Sequence, residues 1–248
     1  MRWRVIGLEA HDAFYNMAAD EAIGDAVAAG ESPPTIRFYT WRPGAVSIGH
    51  FQSMNDEVNV GECRSLGIDV IRRKTGGGAV YHDEHGEITY SVIAPEGLLP
   101  KGIIESYRVI CGWVIGGLGN LGIDAAFAPI NDVLVGGKKI SGNAQTRREG
   151  VVLQHGTILY DLDVRRMFSL LRITDEKISD KMLKGVEERV TRVLNFKQVT
   201  QEELYDALLK GFTSDKEWEF GTISENEWVA TDLLSNIVYR ADEWNFMR

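Results

Sequence analysis

From Phe14 to Ala29 an alanine-rich stretch carries Asn16, Asp20, Glu21 and Asp25 at helical spacing, and Gly30 followed by Pro33 and Pro34 stops it. Two short strand-like runs come next, Thr35 to Thr40 and Ala45 to Gly49, joined through Trp41-Arg42-Pro43-Gly44, which reads as a turn. A helix of about ten residues ends near Gly67, and a strand from Ile68 to Arg72 leads into three consecutive glycines. Glu87 to Ala94 alternates as a return strand, with Asp83 to Gly86 as its hairpin connection. Lys101 to Leu121 has the longest helical pattern, interrupted by glycines. Asp124 to Ala128 and Asp132 to Val135 read as strands, and Lys138 to Arg147 and Val151 to Leu159 as a long pair turned by Arg148-Glu149-Gly150. After Asp163 the pattern is helical and more charged through to Arg248.

Strands paired as hairpins, with helices grouped before and after them, predict an α/β (α+β) fold whose mixed, largely antiparallel sheet is flanked by helices. No internal repeat, low-complexity tract or linker interrupts the chain, so residues 1–248 are expected to form one domain, with 164–248 as a helical part packed on it. At 248 residues and 44% hydrophobic, the chain can bury a sizeable core. Its formal net charge of -9 argues against nucleic acid or an anionic membrane as partner, because both call for a basic surface. Two cysteines, Cys63 and Cys111, have neither C-x-x-C spacing nor a histidine cluster, so no disulfide framework and no metal site is expected. The amino terminus lacks a signal-peptide core, which makes the cytoplasm the expected compartment.

Three glycines beside a strand are costly in backbone entropy and contribute nothing to packing, so a close approach to that backbone is implied at Gly76-Gly77-Gly78. Their N–H groups can cradle an anion in the positive field of Arg72, Arg73 and Lys74; the bland alternative is a bend with a solvated basic rim. Neither a P-loop nor a Rossmann turn is spelled here. In Gly136-Gly137-Lys138-Lys139, a tight turn followed by strand alternation sends the two lysines to opposite faces. One of them directed into a cleft would suit an acyl carbonyl and an adjoining phosphate, whereas two solvated lysines are the commoner outcome. His155 is a general base or a hydrogen-bonded structural residue, and His82-Asp83 is a dyad or a turn-stabilising pair.

Taken in order, Arg72-Arg73-x-x-Gly76-Gly77-Gly78-Ala79-Val80-Tyr81-His82-Asp83, Asn131-Asp132, Lys139-Ile140-Ser141-Gly142-x-Ala144 and His155-Gly156-Thr157-Ile158-Leu159 resemble the lipoate–protein ligase family. Asn16-Met17-Ala18-Ala19-Asp20-Glu21-Ala22 and Ser47-Ile48-Gly49-His50-Phe51-Gln52 extend the resemblance upstream. It implies the fold shared by biotin and lipoate protein ligases and related to class II aminoacyl-tRNA synthetase cores. It also implies that Arg72 and the backbone of Gly77, Gly78, Ala79 and Val80 contact ligand, that Lys139 touches the acyl carbonyl and phosphate as the catalytic residue, and that Asn131 and Asp132 lie near the nucleotide. Gly76, His82, Gly142, Ala144 and His155 complete the implied lipoate and ATP site. The implied chemistry joins lipoate and Mg-ATP as lipoyl-AMP, which a lysine of a lipoyl domain or glycine-cleavage H protein then attacks.

Octanoyltransferases of the same fold are the implied alternative, as carriers of the acyl chain on a cysteine thioester. In one branch that cysteine stands where this chain has Val152; in another it lies in a longer segment ahead of the lysine motif, which here is Ala128-Pro129-Ile130-Asn131-Asp132 without cysteine. A non-catalytic binder of lipoate or its adenylate is the third reading. Many members of the family carry a further C-terminal domain, so a separate accessory subunit is an expected partner. Docking of an acidic acceptor is expected on a basic patch such as Arg147, Arg148 or Lys181.

Overall fold

The computed structural model describes residues 1–172, 185 and 188–248. Within them the strands are β1 (Trp3–His11), β2 (Thr35–Trp41), β3 (Ala45–Ile48), β4 (Asp69–Arg72), β5 (Val80–His82), β6 (Glu87–Pro95), β7 (Ala125–Ala128), β8 (Asp132–Val135), β9 (Lys138–Arg148), β10 (Val151–Leu159) and β11 (Trp218–Phe220). The helices are α1 (Ala13–Ala28), α2 (Met54–Glu57), α3 (Val60–Ser65), α4 (Ile103–Asn120), α5 (Val164–Leu170), α6 (Gln201–Thr213), α7 (Glu225–Leu234) and α8 (Asp242–Asn245). An eight-stranded sheet runs β11-β1-β2-β6-β10-β9-β8-β7, and a three-stranded sheet runs β4-β3-β5. Within the large sheet β1 lies parallel to β2 and β11 while the other pairs are antiparallel, as the hairpin pattern predicts.

Every residue of β2 is buried because both faces of this central strand are covered. Ile36 and Phe38 enter a core shared with Ile110, Val114, Leu204 and Phe212 of α4 and α6. Tyr39 and Trp41 point the other way, to a cluster with Ala13, Met17 and Ala18 of α1. Small residues suit α1 because the sheet lies on one side of it and α7 on the other. Its first turn is capped by Asp12, whose carboxylate accepts from the Tyr15 N–H at 2.8 Å. The glycines of α4 have a packing cause: a Cβ on Gly211 of α6 would stand 2.3 Å from the Gly117 nitrogen, so the two helices touch backbone to backbone.

Three features depart from the sequence expectation. The strand β1 lies in an amino-terminal stretch that the alternation did not mark, since its first half is fully buried and its second half is not. The segment after the glycines does not form a hairpin with β6: β5 pairs with β3 in the small sheet, and Asp83 to Gly86 carries the chain between sheets. The carboxy-terminal part is not wholly helical, because β11 extends the large sheet beside β1.

Candidate functional site

The small sheet delivers the glycine segment to the face of β9 and β10 that looks toward α1. Adjacent positions of a strand point to opposite faces, and at the end of β4 this separates two arginines. Arg72 turns away from the cleft: Nη1 donates to the His50 carbonyl at 2.8 Å and the Gln52 carbonyl at 2.6 Å, and Nη2 donates to the Asn245 carbonyl at 3.0 Å. Through these bonds Arg72 locks β4 to α8, and it does not line the cleft, where the resemblance implies a ligand contact for it. Arg73 points inward, and its Nη2 donates to the carbonyls of Gly76 and Gly78 at 2.9 and 2.8 Å. Burial lowers the pKa of this guanidinium to about 10.

The turn before β9 has positive φ at both Gly136 and Gly137, the backbone of a tight hairpin that fits the twist of its strands. A register shift between β8 and β9 follows at once. Lys139 then lies across Gly142, where a Cβ would stand only 2.7 Å from Lys139 Cε. Its Nζ sits 2.7 Å from Asp132 Oδ1, as a charge contact and not an aligned hydrogen bond, with the lysine side chain 41% exposed. Of the two lysines it is Lys139 that lines the cleft with Asn131, while Lys138 borders a separate depression.

Both histidines are buried and spoken for. His155 Nδ1 lies 3.4 Å from Asp20 Oδ2 and its Nε2 lies 2.8 Å from Thr75 Oγ1. Burial favours the neutral ring and outweighs the opposing pull of Asp20, so its pKa falls below the ordinary imidazole value. Burial also works to raise the pKa of Asp20, but hydrogen bonds from His155 and Ser91 and the charge of Arg37 hold it below the ordinary carboxylate value. His82 places Nδ1 2.7 Å from Glu87 Oε1 and Nε2 2.8 Å from Ser47 Oγ, and its ring stacks on Trp41 at 4.0 Å. The partner of His82 is Glu87 and not Asp83, which instead accepts from the His85 N–H in the following turn.

Ser47, His82 and Glu87 have the spacing of a serine triad. The Ser47 oxygen also accepts from Arg73 Nη1 at 3.1 Å, which fixes the hydroxyl between the guanidinium and the imidazole. On the other side of Arg73 the arrangement repeats as Thr75, His155 and Asp20, with Arg73 Nε donating to Thr75 Oγ1 at 3.1 Å. The repeat reads as support for the cleft wall.

These residues enclose a cavity of about 280 Å³. Gly77, Gly78, Ala79, Val80 and His82 line it on one side, and Asn131, Lys139, Gly142, Ala144 and His155 on the other. Trp41 and Met17 lie in its apolar wall with Leu162 and Met167. Gly76 faces a second cavity across the loop, and Asp132 reaches the first one through Lys139. Sequence reasoning named Arg73 only as part of a basic field and gave no site role to Ser47, Thr75 or Glu87; Ser47, a polar residue set into an otherwise apolar strand, was the available signal. Cys63 and Cys111 are fully buried, with burial pushing their thiols up to about 11 and about 12. Cys111 sits behind the cavity wall, 3.4 Å from Asn143 Nδ2. Of the expected docking patch, Arg147 is held by the Pro100 and Lys101 carbonyls, Arg148 pairs with Glu149, and Lys181 lies outside the described residues.

Residues 12–213 match the lipoyl protein ligase A/B catalytic domain. The chain belongs to this family. Octanoyltransferase LipM of Brevibacillus brevis is 36% identical to it, over 100% of this chain and 99% of the relative. A bi-partite lipoate protein ligase of Thermoplasma acidophilum, solved in a study with its E2 lipoyl domain, superposes with a TM-score of 0.90 at 35% identity, covering 99% of this chain and 96% of that one. A lipoate-protein ligase A bound with ATP gives 0.85 at 32% identity over 99% of both chains. The lipoyl ligase fold expected from the motifs is thus the fold present, and the chain is an enzyme of the ligase and transferase family. The names of its sequence relatives favour the transferase alternative over ATP-dependent ligation. Among the described residues no helix is long and apolar enough to cross a membrane.

Proposed function

We propose that this chain transfers an octanoyl or lipoyl group from an activated donor to a lysine of a carrier domain, by direct attack and without an acyl-enzyme. The observation that carries this is the composition of the cleft: a lysine ammonium beside a glycine backbone, with both thiols of the chain buried outside it. The acceptor amine attacks the acyl carbonyl, a C–N bond forms, the bond to the leaving group breaks with its electron pair going to that group, and the amine's proton passes to the leaving group or to water. Lys139 and the N–H groups of the Gly76–Ala79 segment stabilise the oxygen as it takes on negative charge. Holding donor and amine together supplies the rest, so no protein nucleophile is needed.

The donor divides the proposal in two. The curated sequence relatives that align end to end, among them those of Brevibacillus brevis and Symbiobacterium thermophilum, are named octanoyltransferases, which supports an octanoyl thioester on a carrier protein. The absence of a thiol in the cleft and the likeness to an ATP-bound ligase support lipoyl-AMP, made from lipoate and Mg-ATP as substrates. Among the described residues no group of three His, Cys, Asp or Glu side chains could hold a metal ion, so in this second reading Mg2+ arrives on the nucleotide. Lipoyl domains and glycine-cleavage H protein are the proposed acceptors, and a separate accessory subunit is a proposed partner of the adenylate route.

Intact-mass analysis of a lipoyl acceptor domain tests this, with octanoyl carrier protein, lipoate plus Mg-ATP, and lipoyl-AMP as parallel donors. Acceptor modified from the carrier protein supports the transferase donor, and from lipoate with ATP the ligase donor. Lipoyl-AMP working alone points to a missing activation partner. Saturable lipoate binding with an unmodified acceptor in every arm would make the chain a binder and end the transfer reading.

A further inference from the structure

The N–H groups of Gly76, Gly77, Gly78 and Ala79 have no protein hydrogen-bond partner among the described residues, although the last three of these residues line the cavity. A glycine-rich segment left to itself would satisfy such donors on nearby carbonyls. Arg73 prevents this. A guanidinium has five N–H donors in a fixed fork, and here each has an acceptor: Nε the Thr75 hydroxyl, Nη1 the Ser47 carbonyl and hydroxyl, Nη2 the carbonyls of Gly76 and Gly78. Two loop carbonyls are drawn inward, and Gly77 takes a φ of 103°, where an added Cβ would stand 2.7 Å from Arg73 Nη2.

Arg73 is also a cation only 5% exposed that makes no ion pair among the described residues. A buried charge is ordinarily paired. Among the described residues its counter-charge is missing, and it lines the cavity, so negative charge developing on a bound acyl group would fill that place.

We propose that Arg73 is the positioning residue of the cleft: it holds the Gly76 and Gly78 carbonyls inward, keeps the glycine N–H groups turned to the reacting acyl group, and ties this loop to both buried histidines. This rests on the acyl-transfer reading for its catalytic consequence, but not for the loop geometry. A purely structural arginine would matter for stability alone.

R73K keeps the charge and loses the fork, and R73Q loses both. Each is compared with wild type by transfer kinetics and by the amide resonances of Gly76, Gly77 and Gly78, with a thermal melt to confirm folding. The expected result is a kcat about a hundredfold lower in both folded variants, little change in the acceptor KM, and displaced glycine amides. Unchanged kcat in folded R73K, or glycine amides unmoved in both variants, overturns the proposal. Should both variants fail to fold, T75V and S47A each remove one support of the same guanidinium, and unmoved glycine amides in both overturn it. Should wild type modify no acceptor, the transfer reading fails, and the glycine amides alone decide whether Arg73 sets the loop.

Discussion

The Nζ of Lys139 stands 2.8 Å from the point that a Cβ on Gly142 would occupy, so the position of the lysine depends on a missing side chain three residues further on. Gly142→Ala should push the ammonium off Asp132 and out of line with the acyl carbonyl. The expected outcome is a kcat about ten- to a hundredfold lower, with a melting temperature near that of wild type because Lys139 is partly exposed. Steady-state kinetics and a thermal melt check both parts. A fully active variant would remove the present lysine position from the mechanism.

Stability should fall on the acid side of neutrality. The folded-state pKa of His155 is lowered, so below about 6.5 the unfolded chain takes up a proton there that the folded chain refuses. Its contribution is therefore present above that pH and lost as pH falls toward the folded value, with a limiting slope of about 1.4 kcal/mol per pH unit. Asp20 acts in the same sense further down, because its folded-state pKa is also lowered. Melting temperatures from pH 7.5 to 5 should decline less steeply in His155→Gln than in wild type. Equal slopes would mean that His155 does not titrate as its burial requires.

Neither cysteine should react in the native state. With thiols pushed up to about 11 at Cys63 and about 12 at Cys111, and both buried, the thiolate needed for alkylation is scarce and shielded. Iodoacetamide should label both only on unfolding, as followed by mass spectrometry. Rapid native labelling of either would reopen a thioester route.

The contact between α4 and α6 can be tested apart from the chemistry. Gly211→Ala places a methyl 2.3 Å from the Gly117 nitrogen and should cost about 1–3 kcal/mol by forcing the helices apart. Denaturant unfolding should show the loss while the KM for donor and acceptor stays unchanged.

Periodicity predicts α1, α4 and the β9–β10 pair because each is long enough for its repeat to be counted. The glycines of α4 look like helix breakers until α6 is seen against them, a contact some ninety positions away that no local pattern carries. The motifs point to Lys139, Gly142 and His155, and they contain both arginines but assign the ligand contact to Arg72, whereas Arg73 faces the cleft. Alternation says that Arg72 and Arg73 face opposite ways, and only the docking of α8 on Arg72 decides which way. Glu87 is hidden for a similar reason: it opens an apolar strand as an ordinary polar flank would, and only the small sheet brings His82 to it.

Direct transfer without an acyl-enzyme is tested most directly by time-resolved intact-mass spectrometry of enzyme and acceptor together, for wild type and for C63A/C111A. Given whichever donor proves active, the acceptor should gain one acyl group in both cases, and the enzyme mass should stay unmodified throughout. An acylated enzyme preceding the acylated acceptor, or a folded double variant that cannot transfer, would contradict direct attack and put the acyl chain on the protein.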